Sequence, residues 1–122
     1  MAVHEISDKL LTQEDLSAIT FHDIKIKLSG AARNKIIHCR EYLDKELDES
    51  DEAIYGINTG FGSLYNKNIS SDQLEKLQEN LVKSHACGTG PEVPDEIVRM
   101  MLLLKVQSLS YGYSGVQLVT VE

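Results

Sequence analysis

Between Ile97 and Leu109, nine of thirteen residues are apolar, and the two cations, Arg99 and Lys105, do not share a side of a helix. Pro94 fits a first helical position, and Asp95 and Glu96 suit the positive end of a helix dipole, so a helix is expected over about 94–110. Such a helix has no continuous polar face, and it should be surrounded. At 122 residues the chain is one domain's length at most and has few other elements to do the surrounding. It is therefore expected to be a mainly α piece of a larger helical protein, with Val119-Thr-Val-Glu122 bringing no closing element.

The remaining elements are modest. Thr12-Gln-Glu-Asp15 offers a capping box ahead of Leu16 and Ile19, predicting a short helix over 13–19. Phe21 to Leu28 alternates through Ile24, Ile26 and Leu28, the period of an extended segment that buries one face. Ser29 can cap a helix over 30–47, where Ala32, Ile36, Cys39, Leu43 and Leu47 form one stripe. The acidic stretch Asp48-Glu-Ser-Asp-Glu52 reads as a solvated connection. Ser70 with Gln73 offers a second capping box for a helix over 71–87, with Leu74, Leu77, Leu81 and His85 on one face and Gly88 and Pro91 closing it.

Charge and cysteine usage narrow the function classes. Twelve basic against nineteen acidic residues give a net charge of −7 with no basic run, which excludes nucleic acid and anionic membrane as expected partners. The longest apolar run, Met100 to Leu104, is far below the roughly 20 residues of a membrane span. Cys39 and Cys87 lie in helical stretches with no signal sequence ahead of them, so a reducing cytoplasm is expected.

Little of the usual chemistry is available. The candidate ligands His4, His22, His38, His85, Cys39 and Cys87 lack the paired spacing of a structural zinc site, so no metal is expected. His85 and Cys87 point roughly 200° apart on a helix, and the same geometry argues against a Ser84–His85 pair. The segment from Ala53 to Ser63 carries Gly56, Gly60 and Gly62 and requires a loop of special geometry over about 55–63. It lacks the Gly-Lys-Ser/Thr ending of a phosphate cradle. A tyrosine at its head, Tyr55, can be presented to a pocket and exchange a proton there, as lids do. Taken singly, Tyr55 reads as a half-buried tyrosine and His85 as a hydrogen-bonded core histidine; their joint occurrence carries the functional reading.

Tyr55-Gly-Ile-Asn-Thr-Gly-Phe-Gly62, Leu77-Gln-Glu-Asn-Leu81, Ser84-His-Ala-Cys-Gly88 and Gly112-Tyr-Ser-Gly115 together resemble the N-terminal region of the aromatic amino acid ammonia-lyases. The resemblance covers nearly the whole chain and is strongest from Ala53 to Glu122. It implies the N-terminal part of their helical, fumarase/aspartase-like fold. It also implies that Tyr55 is the base that takes a proton from the substrate's β-carbon, with Gly62 against the site and Gly56, Asn58 and Gly60 supporting the loop. Ser84 and His85 fall where the family selects the substrate ring. Ser-His there resembles histidine lyases, His-Leu tyrosine lyases and Phe-Leu phenylalanine lyases, so His85 points to L-histidine. An imidazole can pair with another imidazole, whereas an apolar residue would leave the substrate's nitrogens unpaired.

The family's electrophile, a methylidene-imidazolone made from an internal Ala-Ser-Gly, has no source here, since Leu28-Ser29-Gly30 and Tyr113-Ser114-Gly115 lack the alanine. The resemblance implies a homotetramer whose sites combine several subunits. This chain alone is therefore expected to be inactive and either to self-associate through the helix over 94–110 or to need a proteolytic partner, and its glycine-rich Tyr55 loop, lacking the rest of the site, is expected to be disordered or altered in conformation. A tyrosine or phenylalanine lyase, an aminomutase, and a non-catalytic helical interaction module remain open as alternatives.

Overall fold

The computed structural model describes residues 3–22, 24–50 and 52–122, without the side chain of Ser71. Asp23 of the expected extended segment and Asp51 of the expected connection lie outside the described residues. The architecture is mainly helical: β1 (Val3–Ile6), α1 (Gln13–Phe21), β2 (Lys25–Leu28), α2 (Gly30–Glu49), α3 (Leu74–His85) and α4 (Asp95–Ser110), with 3-10 turns at Gly62–Leu64, Ser71–Gln73 and Leu118–Thr120. Two compact units result, one made of the chain up to Asp48 together with Glu92–Glu122, the other of Glu49–Pro91.

In the first unit, β1 and β2 pair in parallel, Val3 opposite Lys25 and Ile6 opposite Leu28, and α1 is the crossover between them. The capping box at Thr12 forms as expected. Asp15 N donates to Thr12 Oγ1 at 3.1 Å and Thr12 N donates to Asp15 Oδ2 at 3.0 Å. The Thr12 amide, and the Thr12 hydroxyl donating to the same Asp15 Oδ2 at 3.0 Å, hold the Asp15 carboxyl below its ordinary value, with a smaller contribution from His4. The helix they start runs on to Phe21, so the extended segment is shorter than its alternation predicts, and Ile26 remains 41% exposed.

Thr12→Ala is expected to cost about 1 kcal/mol, read as a lower urea midpoint. A carboxylate with a lowered folded-state value stabilises the fold above its unfolded value and loses that contribution as pH falls through the folded one. The gap between the wild type and Asp15→Asn should therefore close below about pH 4.

The core lies where α2 meets the end of α4 and the last turn. Ile36, Leu109 and Val121 are buried there, with Leu28, Val106, Val116 and Leu118 packed around them. Ser29 Oγ accepts from Ala32 N at 3.2 Å, capping α2 as its sequence predicts. At Gly112, φ is +75°, and a Cβ would stand 2.8 Å from both Cβ and the carbonyl oxygen of Lys35, so only glycine lets this turn approach α2 so closely.

α4 departs from expectation in two ways. Pro94 is its N-cap rather than its first residue: with ψ at 139° it enters extended, and its carbonyl accepts from Ile97 N and Val98 N. As expected of a chain with so few other elements, the helix is not surrounded within it. Leu103 and Leu109 are buried, whereas Met101 and Leu102 are 64% and 62% exposed, and Ile97, Val98 and Leu104 are exposed with them. Unexpectedly, two polar residues are buried in their place. Gln107 Nε2 donates to the carbonyls of Ser7 and Lys9 at 2.8 and 3.1 Å, fastening the segment after β1 to α4, and Ser110 Oγ donates to the Gln107 carbonyl at 2.7 Å.

The second unit holds the glycine-rich loop and α3. The expected helix over 71–87 is trimmed at both ends. A 3-10 turn, closed by Gln73 N donating to the Ser70 carbonyl at 2.9 Å, replaces the expected Ser70–Gln73 capping box, and no side chain caps α3. At the other end, Ala86 N bonds the Val82 carbonyl and the helix stops at His85, three residues before Gly88.

Candidate active site

The loop that carries Tyr55 is built around its polar side chains. Asn58 Oδ1 accepts from Ile54 N at 2.7 Å, while Asn58 Nδ2 donates to the Glu52 carbonyl at 3.0 Å. Such backbone mimicry is what asparagine supplies in tight turns. Gly56 sits in the turn at φ +77°, and its N–H donates to Thr59 Oγ1 at 3.3 Å. Thr59, 1% exposed, donates its own hydrogen to the Gly60 carbonyl at 3.0 Å.

Residues 58–60 then close on 67–69. Ile69 N donates to the Asn58 carbonyl at 2.8 Å, Gly60 N donates to the Lys67 carbonyl at 3.0 Å, and Thr59 bridges Asn68 in antiparallel fashion. Glycine supplies the permitted angles in this loop, and Asn58 and Thr59 supply its hydrogen-bond partners. Thr59 went unrecognised at the sequence level, where a threonine between glycines carries no burial signal.

Tyr55 stands on this frame, 65% exposed, with its ring edge-on to Phe61 at a centroid distance of 6.4 Å and 73° between planes. Gly62 opens the following 3-10 turn at φ +56°, and a Cβ there would meet nothing within 4 Å in this chain. Gly60 is different: a Cβ would fall 2.6 Å from the Leu64 carbonyl oxygen and 2.8 Å from Leu64 Cβ.

At the end of α3, Ser84 and His85 are both exposed and in contact. Ser84 Oγ lies 2.9 Å from His85 Nδ1, and each is 2.9 Å from the Leu81 carbonyl oxygen. This corrects the inference that neighbours on a helix cannot pair. Their Cβ atoms do diverge, but both side chains fold back toward one carbonyl in the preceding turn, as serine commonly does on a helix. Among the described residues, no hydrogen bond or ring contact joins the Tyr55 loop to this pair, and no group of three or more His, Cys, Asp or Glu side chains could hold a metal ion. No helix among the described residues is long and apolar enough to cross a membrane.

A family model, aromatic amino acid lyase, matches residues 11–122, which contain both the loop and the Ser84–His85 pair. The chain belongs to that family. Among its curated relatives, histidine ammonia-lyase from Deinococcus radiodurans is 45% identical over 117 residues, covering 96% of this chain and 22% of the relative. Of the solved structures, histidine ammonia-lyase from Trypanosoma cruzi superposes with a TM-score of 0.82 at 38% identity, over 99% of this chain and 23% of that one. Ergothionase from Treponema denticola, an ergothioneine-degrading enzyme, superposes with a TM-score of 0.91 at 28% identity, over 98% of this chain and 24% of that one. The chain therefore spans about a fifth to a quarter of the length of the lyases it matches.

Proposed function

We propose that this chain is the N-terminal portion of a histidine ammonia-lyase, contributing one side of a site that removes ammonia from L-histidine to give trans-urocanate. The observation that carries this reading is the Ser84–His85 pair on one helix end, in a chain whose curated relatives include histidine ammonia-lyases. His85 meets the imidazole of the substrate through a ring nitrogen, which an apolar residue could not do. Tyr55, carried by the loop that Asn58 and Thr59 brace, takes the β-proton as general base. Gly62 gives the substrate room beside the loop, and Gly56 and Gly60 fix its shape.

The residues present do not fit the family's methylidene-imidazolone. Neither Ser-Gly dipeptide follows an alanine, and the Ser29 hydroxyl is engaged in capping α2. When present, that group supplies the electrophile that activates the substrate; this chain supplies the base and the ring contact. The exposed apolar face of α4 supports burial against further helices of a homotetramer, and a cytoplasmic enzyme follows from the same reading. The test is urocanate formation from L-histidine, comparing this chain with a protein extended to the length of its curated relatives. Turnover by the extended protein alone is expected. No turnover by a folded extended protein carrying Ala-Ser-Gly would reject the histidine assignment.

A further inference from the structure

Three polar atoms converge at the end of α3. Ser84 Oγ donates to the Leu81 carbonyl at 2.9 Å, and His85 Nδ1 stands 2.9 Å from the same carbonyl oxygen and 2.9 Å from Ser84 Oγ. A carbonyl oxygen only accepts, so a ring nitrogen at this distance is favourably placed only when it carries a hydrogen. The Ser84 hydroxyl has one hydrogen, and with it directed at Leu81 its lone pairs are left facing Nδ1. The reverse arrangement, Ser84 donating to a bare Nδ1, would set the ring's lone pair against those of the carbonyl. All three contacts are satisfied together only by a protonated Nδ1, and in the neutral ring Nε2 is then the acceptor.

We propose that Ser84 is a positioning residue which, with the Leu81 carbonyl, holds neutral His85 as its Nδ1–H tautomer, so that Nε2 offers a lone pair to a ligand N–H group. The inference deepens the proposed function and rests on it for the donor, the imidazole N–H of L-histidine. A phenyl ring has no such donor and would leave Nε2 unpaired, so the tautomer adds discrimination that the identity of His85 alone does not.

The test uses this chain labelled with 15N-histidine, in two-bond 1H–15N correlation spectra at a pH where imidazoles are neutral. His85→Gln assigns the signal, and the exposed His22 and His38 serve as references. A protonated Nδ1 and a bare Nε2 are expected for His85. Ser84→Ala should raise the Nε2–H population at least about threefold, and Ser84→Thr, which keeps the hydroxyl, should restore the original ratio. A wild-type ring protonated at Nε2, or a Ser84→Ala ratio equal to the wild type, would overturn the proposal. In the extended protein, Ser84→Ala should raise KM for L-histidine about tenfold with kcat within about twofold, again restored by threonine. Tautomer control without any turnover of L-histidine would reject the proposed activity and leave the role of Ser84 standing.

Discussion

Tyr55→Phe should lower kcat for L-histidine about a thousandfold in a protein extended to the length of the curated relatives, with KM and the urea midpoint nearly unchanged. The substitution removes one oxygen and keeps the ring, so the edge-on contact with Phe61 survives. With 65% of the residue exposed, little buried surface depends on the hydroxyl. What is lost is the atom proposed to accept the proton, and an interaction made only in the transition state appears in kcat rather than in KM. A kcat within about tenfold of the wild type would reject Tyr55 as the base, because general-base catalysis contributes at least about a hundredfold. A rise in KM at constant kcat would instead make the phenol a binding group.

The helices were legible in the sequence because each carries a local signal. The Thr12–Asp15 box, the Ser29 cap with its stripe through Ala32 and Ile36, and the acidic first turn of α4 all operate within one or two helical turns. β1 left no such trace, since four residues are too few to show a period and its partner is β2, far along the chain. The burial of Gln107 was equally hidden: its Nε2 donates to the carbonyls of Ser7 and Lys9, about a hundred positions away. In the candidate site, motif recognition singled out Tyr55 and the Ser84–His85 pair, whereas the geometry of the loop came from Asn58 and Thr59 and that of the pair from side chains folding back on the Leu81 carbonyl. Spacing rules placed Ser84 and His85 apart because they follow Cβ directions and ignore the shared Leu81 carbonyl.

Gly60→Ala tests whether the loop frame, rather than the phenol alone, equips this region for chemistry. The new methyl would lie 2.6 Å from the Leu64 carbonyl oxygen and 2.8 Å from Leu64 Cβ. Neither atom is the free end of a flexible side chain. The carbonyl is itself engaged by Lys67 N at 3.0 Å, so it cannot turn aside without opening the turn. Relief must come from parting residues 58–60 from 67–69, which removes the Gly60 N bond to the Lys67 carbonyl and loosens buried Thr59, the partner of the Gly56 amide beside Tyr55. Overpacking of this kind costs about 1–3 kcal/mol, and a displacement near 1 Å of a catalytic group costs about a hundredfold in rate. Gly60→Ala should therefore lower both the urea midpoint and kcat/KM. Gly88→Ala, whose methyl meets nothing within 4 Å, should leave the midpoint unchanged. Equal midpoints for the two variants would mean that the loop absorbs the methyl and does not depend on its frame. A lowered midpoint with full activity would separate the frame from catalysis, and the position of Tyr55 would then have to be fixed by contacts outside Glu49–Pro91.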